Sequence, residues 1–264
     1  MNTNKLIIDI NNDINKIKTL SPEELTELIK EANQKYYNSV KPIFNDDTYD
    51  LIVDRLEYLD KNNIILNDVS CFNEENKVLL PYFLGSQDKI KFSKDTKKLD
   101  TWIKKYKGPY VFSDKLDGIS GLLIIDNNTR RLLTRGDGNY GRDISNILPY
   151  INLSNYESLD IKDTLFIRGE LVISRDKFEK YKLSSSHSRN FVSGLQNSKE
   201  LDIDKLKDID FVCYEILNLN NTPSVNLEIL KNKNFILVNS TITDILDIND
   251  LNKYYVNRRE NSQY

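Results

Sequence analysis

The residues best suited to chemistry lie in Ser113-Asp114-Lys115-Leu116-Asp117-Gly118. A neutral lysine amine is a nucleophile, a carboxylate two residues on can orient it, and glycine lets backbone come close to a phosphate. The hexapeptide lies between the apolar runs Tyr110–Phe112 and Ile119–Ile125, so it reads as a turn between two strands. The same pattern also suits a charged hairpin turn in which Lys115 is merely solvated. Glu170 and Arg168 stand inside the apolar run Leu165–Ile173. Charges there are costly unless paired or exposed in a cleft, which makes Glu170 a site candidate. Arg135 opens the glycine-rich Arg135-Gly136-Asp137-Gly138, continued by Gly141-Arg142-Asp143. An arginine beside such backbone can meet a phosphate, and a bulged turn would look the same.

A further cluster lies upstream. Ser21-Pro22-Glu23-Glu24 is a helix start: N-cap serine, proline at the first helical position, glutamate at the third. Leu25, Leu28, Ile29, Ala32 and Tyr36 then recur on one face. Asp46 or Asp47 can cap a second helix with the stripe Tyr49, Ile52, Val53, Leu56 and Leu59. Two antiparallel helices joined by a short loop bring Tyr36 and Tyr37 near Asp46, Tyr49 and Asp50. Such a notch suits a ribose and a cationic aromatic ring. Tyr49 as core and the aspartates as caps would explain the same residues.

These elements must be positioned by the rest of the chain. Ile7, Ile10, Ile14 and Ile17 predict one short helix over residues 5–18. Residues 61–83 read as a linker, and 95–106 as a helix around Leu99, Trp102, Ile103 and Tyr106. Asn127-Asn128 predicts a turn between Gly121–Ile125 and Arg131–Thr134. Helices are expected near Arg175–Lys182, from Arg189, over Val225–Lys231 and over Leu251–Arg259. Strands are expected at Phe211–Leu217 and Phe235–Val238. The fold class is therefore α+β: a small N-terminal helical hairpin unit (1–70), then an antiparallel-sheet-rich unit (71–264).

Composition narrows the function classes. A net charge of −3 gives no support for tight nonspecific DNA binding by this chain alone. The lysines 89, 91, 94, 97, 98, 104, 105 and 107 read as a solvated linker and helix face. His187 is the only histidine, which excludes His-rich metal sites, and no metal ligands are assigned. Cys71 and Cys213 are in no metal-like spacing and read as free thiols of a reducing compartment. With no membrane-length apolar run and no signal-peptide pattern, an intracellular protein is expected.

The motifs occur in a set order. Tyr36-Tyr37 and Asp46…Tyr49-Asp50 come first, then Ser86-x-Asp88 and Lys115-x-Asp117-Gly118. Arg135-Gly-Asp-Gly, Arg168-Gly-Glu170 and Arg189-Asn190 follow. This order resembles the N-terminal part of the bacterial-type NAD-dependent DNA ligases, from about residue 20 onward. The resemblance implies an NMN-binding helical domain followed by a nucleotidyltransferase domain of the ATP-grasp-like ligase adenylation kind. It implies that Lys115 attacks the α-phosphorus of NAD, releases NMN and becomes AMP-lysine. Nicked double-stranded DNA would be the eventual acceptor in replication and repair, and Mg2+ would screen the phosphates. Asp117 would position Lys115, and Gly118 would leave room for nucleotide. Glu170 would bind the ribose and Arg135 would lie in the nucleotide pocket. Ser86 and Gln87 would contact adenosine. Arg189 would contact phosphate or DNA, with Asn190 in support. Tyr36, Tyr37, Asp46, Tyr49 and Asp50 would form the NMN site.

The departures matter too. The family's adenine-reading glutamate two residues before the lysine is Ser113 here, and Tyr37 replaces a histidine of some members. Asn197 lies near where an arginine is usual. The family's later Asp-Gly-x-x-x-Lys and following lysine strand are not found before Tyr264. The expectation is a C-terminally truncated module that does not seal nicks alone: a shortened piece, one part of a split enzyme whose partner chain supplies the missing motifs, or a degenerate copy. The competing expectation is a noncatalytic remnant that binds nucleotide or a partner protein.

Overall fold

The computed structural model describes residues 3–38, 43–66, 77–87, 90, 96–126, 129–153, 163–183, 185, 187–198 and 200–264. Asn127-Asn128, Asp88, Cys71 and the lysines 89, 91 and 94 lie outside these residues.

The N-terminal part is helical. Helix α1 (Thr3–Asn12) stops at Asp13, whose carboxylate accepts from the Asn15 N–H at 3.0 Å and starts a 3-10 turn, Ile14–Thr19. The single helix expected over 5–18 is thus two pieces. The aspartate offers the backbone a local alternative partner, and the isoleucine spacing does not register it. Helix α2 (Pro22–Asn38) begins with the capping box read from the sequence. The Ser21 N–H donates to Glu24 at 2.9 Å and the Glu24 N–H donates to Ser21 Oγ at 3.2 Å. Helix α3 (Asp46–Leu59) is capped by Asn45, not by Asp46 or Asp47: Asn45 Oδ1 accepts from the Thr48 N–H at 2.8 Å. Leu25, Leu28, Ile29, Ala32, Ile52 and Leu56 are buried together with Ile10, Ile17, Phe44 and Ile65. Leu59 instead faces solvent. The core is therefore larger than a two-helix hairpin supplies.

The region read as a linker contains strand β1 (Lys77–Leu79), and Leu80 and Leu84 after it are buried. Helix α4 (Thr96–Lys105) buries Leu99 and leaves Lys97, Lys98, Lys104 and Lys105 in solvent. The strands that follow are β2 (Tyr110–Ser113), β3 (Ile119–Ile125), β4 (Arg130–Thr134), β5 (Tyr140–Arg142) and β6 (Leu165–Ile173). Helices α5 (Arg175–Phe178), α6 (Ser188–Asn197) and α7 (Ile203–Leu206) lead to β7 (Ile209–Ile216). Helix α8 (Pro223–Asn232), β8 (Ser240–Thr243) and α9 (Ile248–Asn261) complete the described chain.

The main sheet is antiparallel in the order β4-β3-β6-β7. Strand β3 is apolar along its length because both its faces are covered. Leu123 and Ile125 enter the large core with Phe191, Val192 and Phe211, while Leu122 and Ile124 pack under Leu80, Leu84 and Leu133. Strand β2 does not pair with β3. It pairs with β8, Tyr110 opposite Thr243 and Ser113 opposite Ser240. The hairpin reading of residues 110–125 is thus overturned. Lys115 lies on a crossover between two sheets. Residues 235–238 form a bridge to Cys213 rather than a regular strand. Cys213 is fully buried, which pushes its thiol pKa up. Among the described residues, no helix is long and apolar enough to cross a membrane.

Candidate active site

A cleft of about 1100 Å3 runs from the helical unit to the main sheet. Its sheet wall follows from strand alternation. Ser120 of β3 is opposite Glu170 of β6, and Leu122 is opposite Arg168, so these side chains share one face. Between Arg168 and Gly169 the β6–β7 register shifts, and Tyr214 is the extra residue. Such a bulge re-aims a side chain. The Tyr214 hydroxyl lies 3.2 Å from Ser120 Oγ and donates to Glu170 at 3.5 Å.

Glu170 is 9% exposed. Its carboxylate lies by the Gly118 N–H, and Arg189, Arg135 and Lys115 are close enough to attract it. Burial outweighs these contacts and raises its pKa. Gly118 is seated directly on β6. A Cβ there would collide with the Leu171 carbonyl oxygen and crowd Val172. The glycine therefore lets the Lys115 loop approach β6, and that space is filled by protein. Lys115 itself is exposed on the cleft wall. Asp117 is 70% exposed and pairs with Arg189 at 3.3 Å.

Helix α6 supplies another wall by amphipathic spacing. Phe191, Val192 and Leu195 enter the core, while Arg189, Asn190, Ser193, Gln196 and Asn197 face the cleft. Asn197 accepts a hydrogen bond from Arg142, so an arginine is present at this end of the cleft, supplied by β5. Arg135 lies at the head of a tight turn. Gly136 has φ +55° and no room for a Cβ, and Asp137 accepts from the N–H groups of Asn139 and Tyr140 at 2.9 and 2.7 Å. The glycines of this loop serve the turn. Ser86 and Gln87 border the cleft, and Arg168 fixes their approach by donating to the Gly85 carbonyl at 2.9 Å.

From the helical side, Tyr49 and Asp50 line the same cleft. The Tyr49 hydroxyl donates to Asn33 Oδ1 at 2.7 Å. Tyr36 and Tyr37 end α2 and Asp46 opens α3, so the backbone brings these three positions to the same end of the helix pair, while their side chains lie outside what is described. The sequence reading did not single out Asn33, Ser120 or Tyr214, which line the cleft, and it quoted Arg142 only as a continuation of the Arg135 loop. Asn33 and Tyr214 had one available signal: a polar group inside an otherwise apolar stripe.

Residues 86–264 match the model of the NAD-dependent DNA ligase adenylation domain. The chain belongs to the NAD-dependent DNA ligase adenylation family. A DNA ligase of Acanthamoeba polyphaga mimivirus is 37% identical over 94% of this chain and 39% of its own length. A DNA ligase of Ruthia magnifica is 35% identical over 69% of the chain and 31% of its own length. One from Clostridioides difficile (strain 630) is 24% identical over 91% of the chain and 40% of its own. The chain thus spans well under half the length of these ligases. The sheet and its covering helices are the adenylation-domain fold, α+β with antiparallel pairing, as the ligase family resemblance implied.

Proposed function

We propose that this chain is the adenylation module of an NAD-dependent DNA ligase. The observation that carries the reading is the single cleft shared by Lys115, Glu170 and Arg135 on one side and by Tyr49, Asp50 and Asn33 on the other. A dinucleotide needs such a bipartite site, with AMP against the sheet and NMN against the helices. The Lys115 amine attacks the α-phosphorus of NAD, a nitrogen–phosphorus bond forms, and the bond to the NMN phosphate breaks. The product is AMP-lysine, later passed to the 5′-phosphate of nicked duplex DNA. Asp117 and Arg189 orient the loop and the phosphates, and Glu170 accepts from ribose hydroxyls. Ser86 and Gln87 border the adenosine. Tyr36, Tyr37 and Asp46 complete the NMN end, and Asn190 supports Arg189.

Magnesium fits as an ion carried mainly by substrate phosphates and water. Such ions need only one or two protein carboxylates, and exposed Asp117 is placed to be one. The ion would supply charge neutralisation on the phosphates.

The test is intact-protein mass after incubation with NAD or ATP and Mg2+. One AMP added from NAD and none from ATP is expected, with Lys115→Ala abolishing the adduct. Tyr49→Ala or Asp50→Ala should cut NAD reactivity by about 10- to 1000-fold, the scale of lost positioning. A chain that stays unmodified at long times would leave the noncatalytic nucleotide- or partner-binding reading.

A further inference from the structure

Asp114, next to Lys115, is held in a way that the adenylation reading does not use. Its side chain is 8% exposed. Arg258 of α9 grips it with both arms of its guanidinium: Nε donates to Oδ1 at 2.8 Å and Nη2 to Oδ2 at 2.6 Å. Ser262 Oγ adds a third bond at 3.0 Å. Burial alone would raise the carboxyl pKa, but these bonds outweigh it and hold it below the usual range.

The clamp is itself anchored on both sides. Tyr254 packs its ring on Phe112 of β2, with centroids 5.8 Å apart. Arg175 donates to the carbonyls of Arg259 and Gln263, and the Tyr264 hydroxyl donates to Asp210 at 3.0 Å. On the loop, the Asp114 N–H donates to the Asn239 carbonyl at 3.1 Å, Leu116 packs beside Val172 and Val212, and Gly118 sits on β6. Lys115 is therefore the exposed residue between two pinned neighbours.

We propose that Arg258 is a positioning residue for Lys115, acting through Asp114. The proposal rests on Lys115 being the residue that takes AMP. A two-armed guanidinium–carboxylate pair fixes orientation as well as distance, which a lysine ammonium does not reproduce. Removing Arg258 leaves a buried carboxylate without its partner, and the loop must shift to reach water.

Single-turnover AMP transfer from NAD, followed by intact mass on the full chain, tests this. Arg258→Ala should slow transfer at saturating NAD by about 10- to 100-fold, with half-saturation by NAD unchanged, the pattern of a misplaced nucleophile. Arg258→Lys should recover part of the rate. Asp114→Asn, which keeps the size and removes the charge, should slow transfer in the same way and carries the test if Arg258→Ala fails to fold. Amide exchange without NAD should rise at residues 114–118 in both variants, while β3 and β6 stay protected. A wild-type rate in these variants, or a loss that lies wholly in NAD half-saturation, would overturn the positioning role. If the wild-type chain takes no AMP, the adenylation reading itself fails. The exchange comparison then still decides whether Arg258 holds the loop, and unchanged exchange would sink that too.

Discussion

At Glu170, burial and the charge of three neighbouring cations pull in opposite directions. Burial raises its pKa, and the attraction of Arg189, Arg135 and Lys115 recovers only part of the cost. A carboxyl raised on folding contributes stability that is present below its unfolded value and lost as pH rises through the folded one. Wild-type thermal stability should therefore fall as pH rises from the ordinary glutamate range, and Glu170→Gln should lack that fall. Melting curves across a pH series check this, and a steeper loss in the variant would refute it. Asp114 has the opposite sign. Its lowered pKa stabilises the fold above the ordinary aspartate range and is lost as pH falls through the lowered value. Gly118 makes a steric prediction. Gly118→Ala forces the Lys115 loop off β6, and it should cost about 1–3 kcal/mol, as overpacking does, read by denaturant unfolding.

At the scale of elements, Arg168 links the sheet to the segment carrying Ser86 and Gln87. Arg168→Ala should release residues 84–87, losing about 1.5–3 kcal/mol for a charge-assisted bond, and faster amide exchange there is the readout. What could be read in advance followed from local rules. The apolar run Leu165–Ile173 is β6 with no residue gained or lost, and Ser21 and Glu24 close the capping box at the start of α2. Lys115, Arg135 and Glu170, read from the sequence as charges near glycine or inside an apolar strand, all line the cleft. Elements defined by distant partners were not legible. Strand β1 has three residues and exists because Tyr140–Arg142 lies beside it, and β2 takes β8 rather than its neighbour in sequence. Asn45 outcompetes Asp46 as a cap through backbone geometry one residue earlier, which composition does not distinguish. Tyr214 reaches the cleft through a register shift; its polar group in an apolar run was visible in the sequence, but the shift was not.

At the scale of the molecule, the apolar clusters separate. One is built from residues between Ile10 and Ile65, and the others from Leu80 onward. We propose that the chain is two units, divided near residue 70, and that calorimetry should show two transitions. NMN should raise the helical one, by about 2.7 kcal/mol at a hundredfold excess over its Kd. A single transition unmoved by NMN would count against both the division and the NMN end of the cleft.

The pairing of β2 with β8 also sets an order of assembly. The partners of β3, β4, β6 and β7 all lie within Ile119–Ile216, but that of β2 is Ser240–Thr243, and that of Asp114 is Arg258. Contacts this remote in sequence close late. During synthesis Lys115 emerges long before β8 and α9, which hold the start of its loop. The topology thus acts as a clock: the Lys115 loop takes its final place only after Ser240–Thr243 and Arg258 have been made.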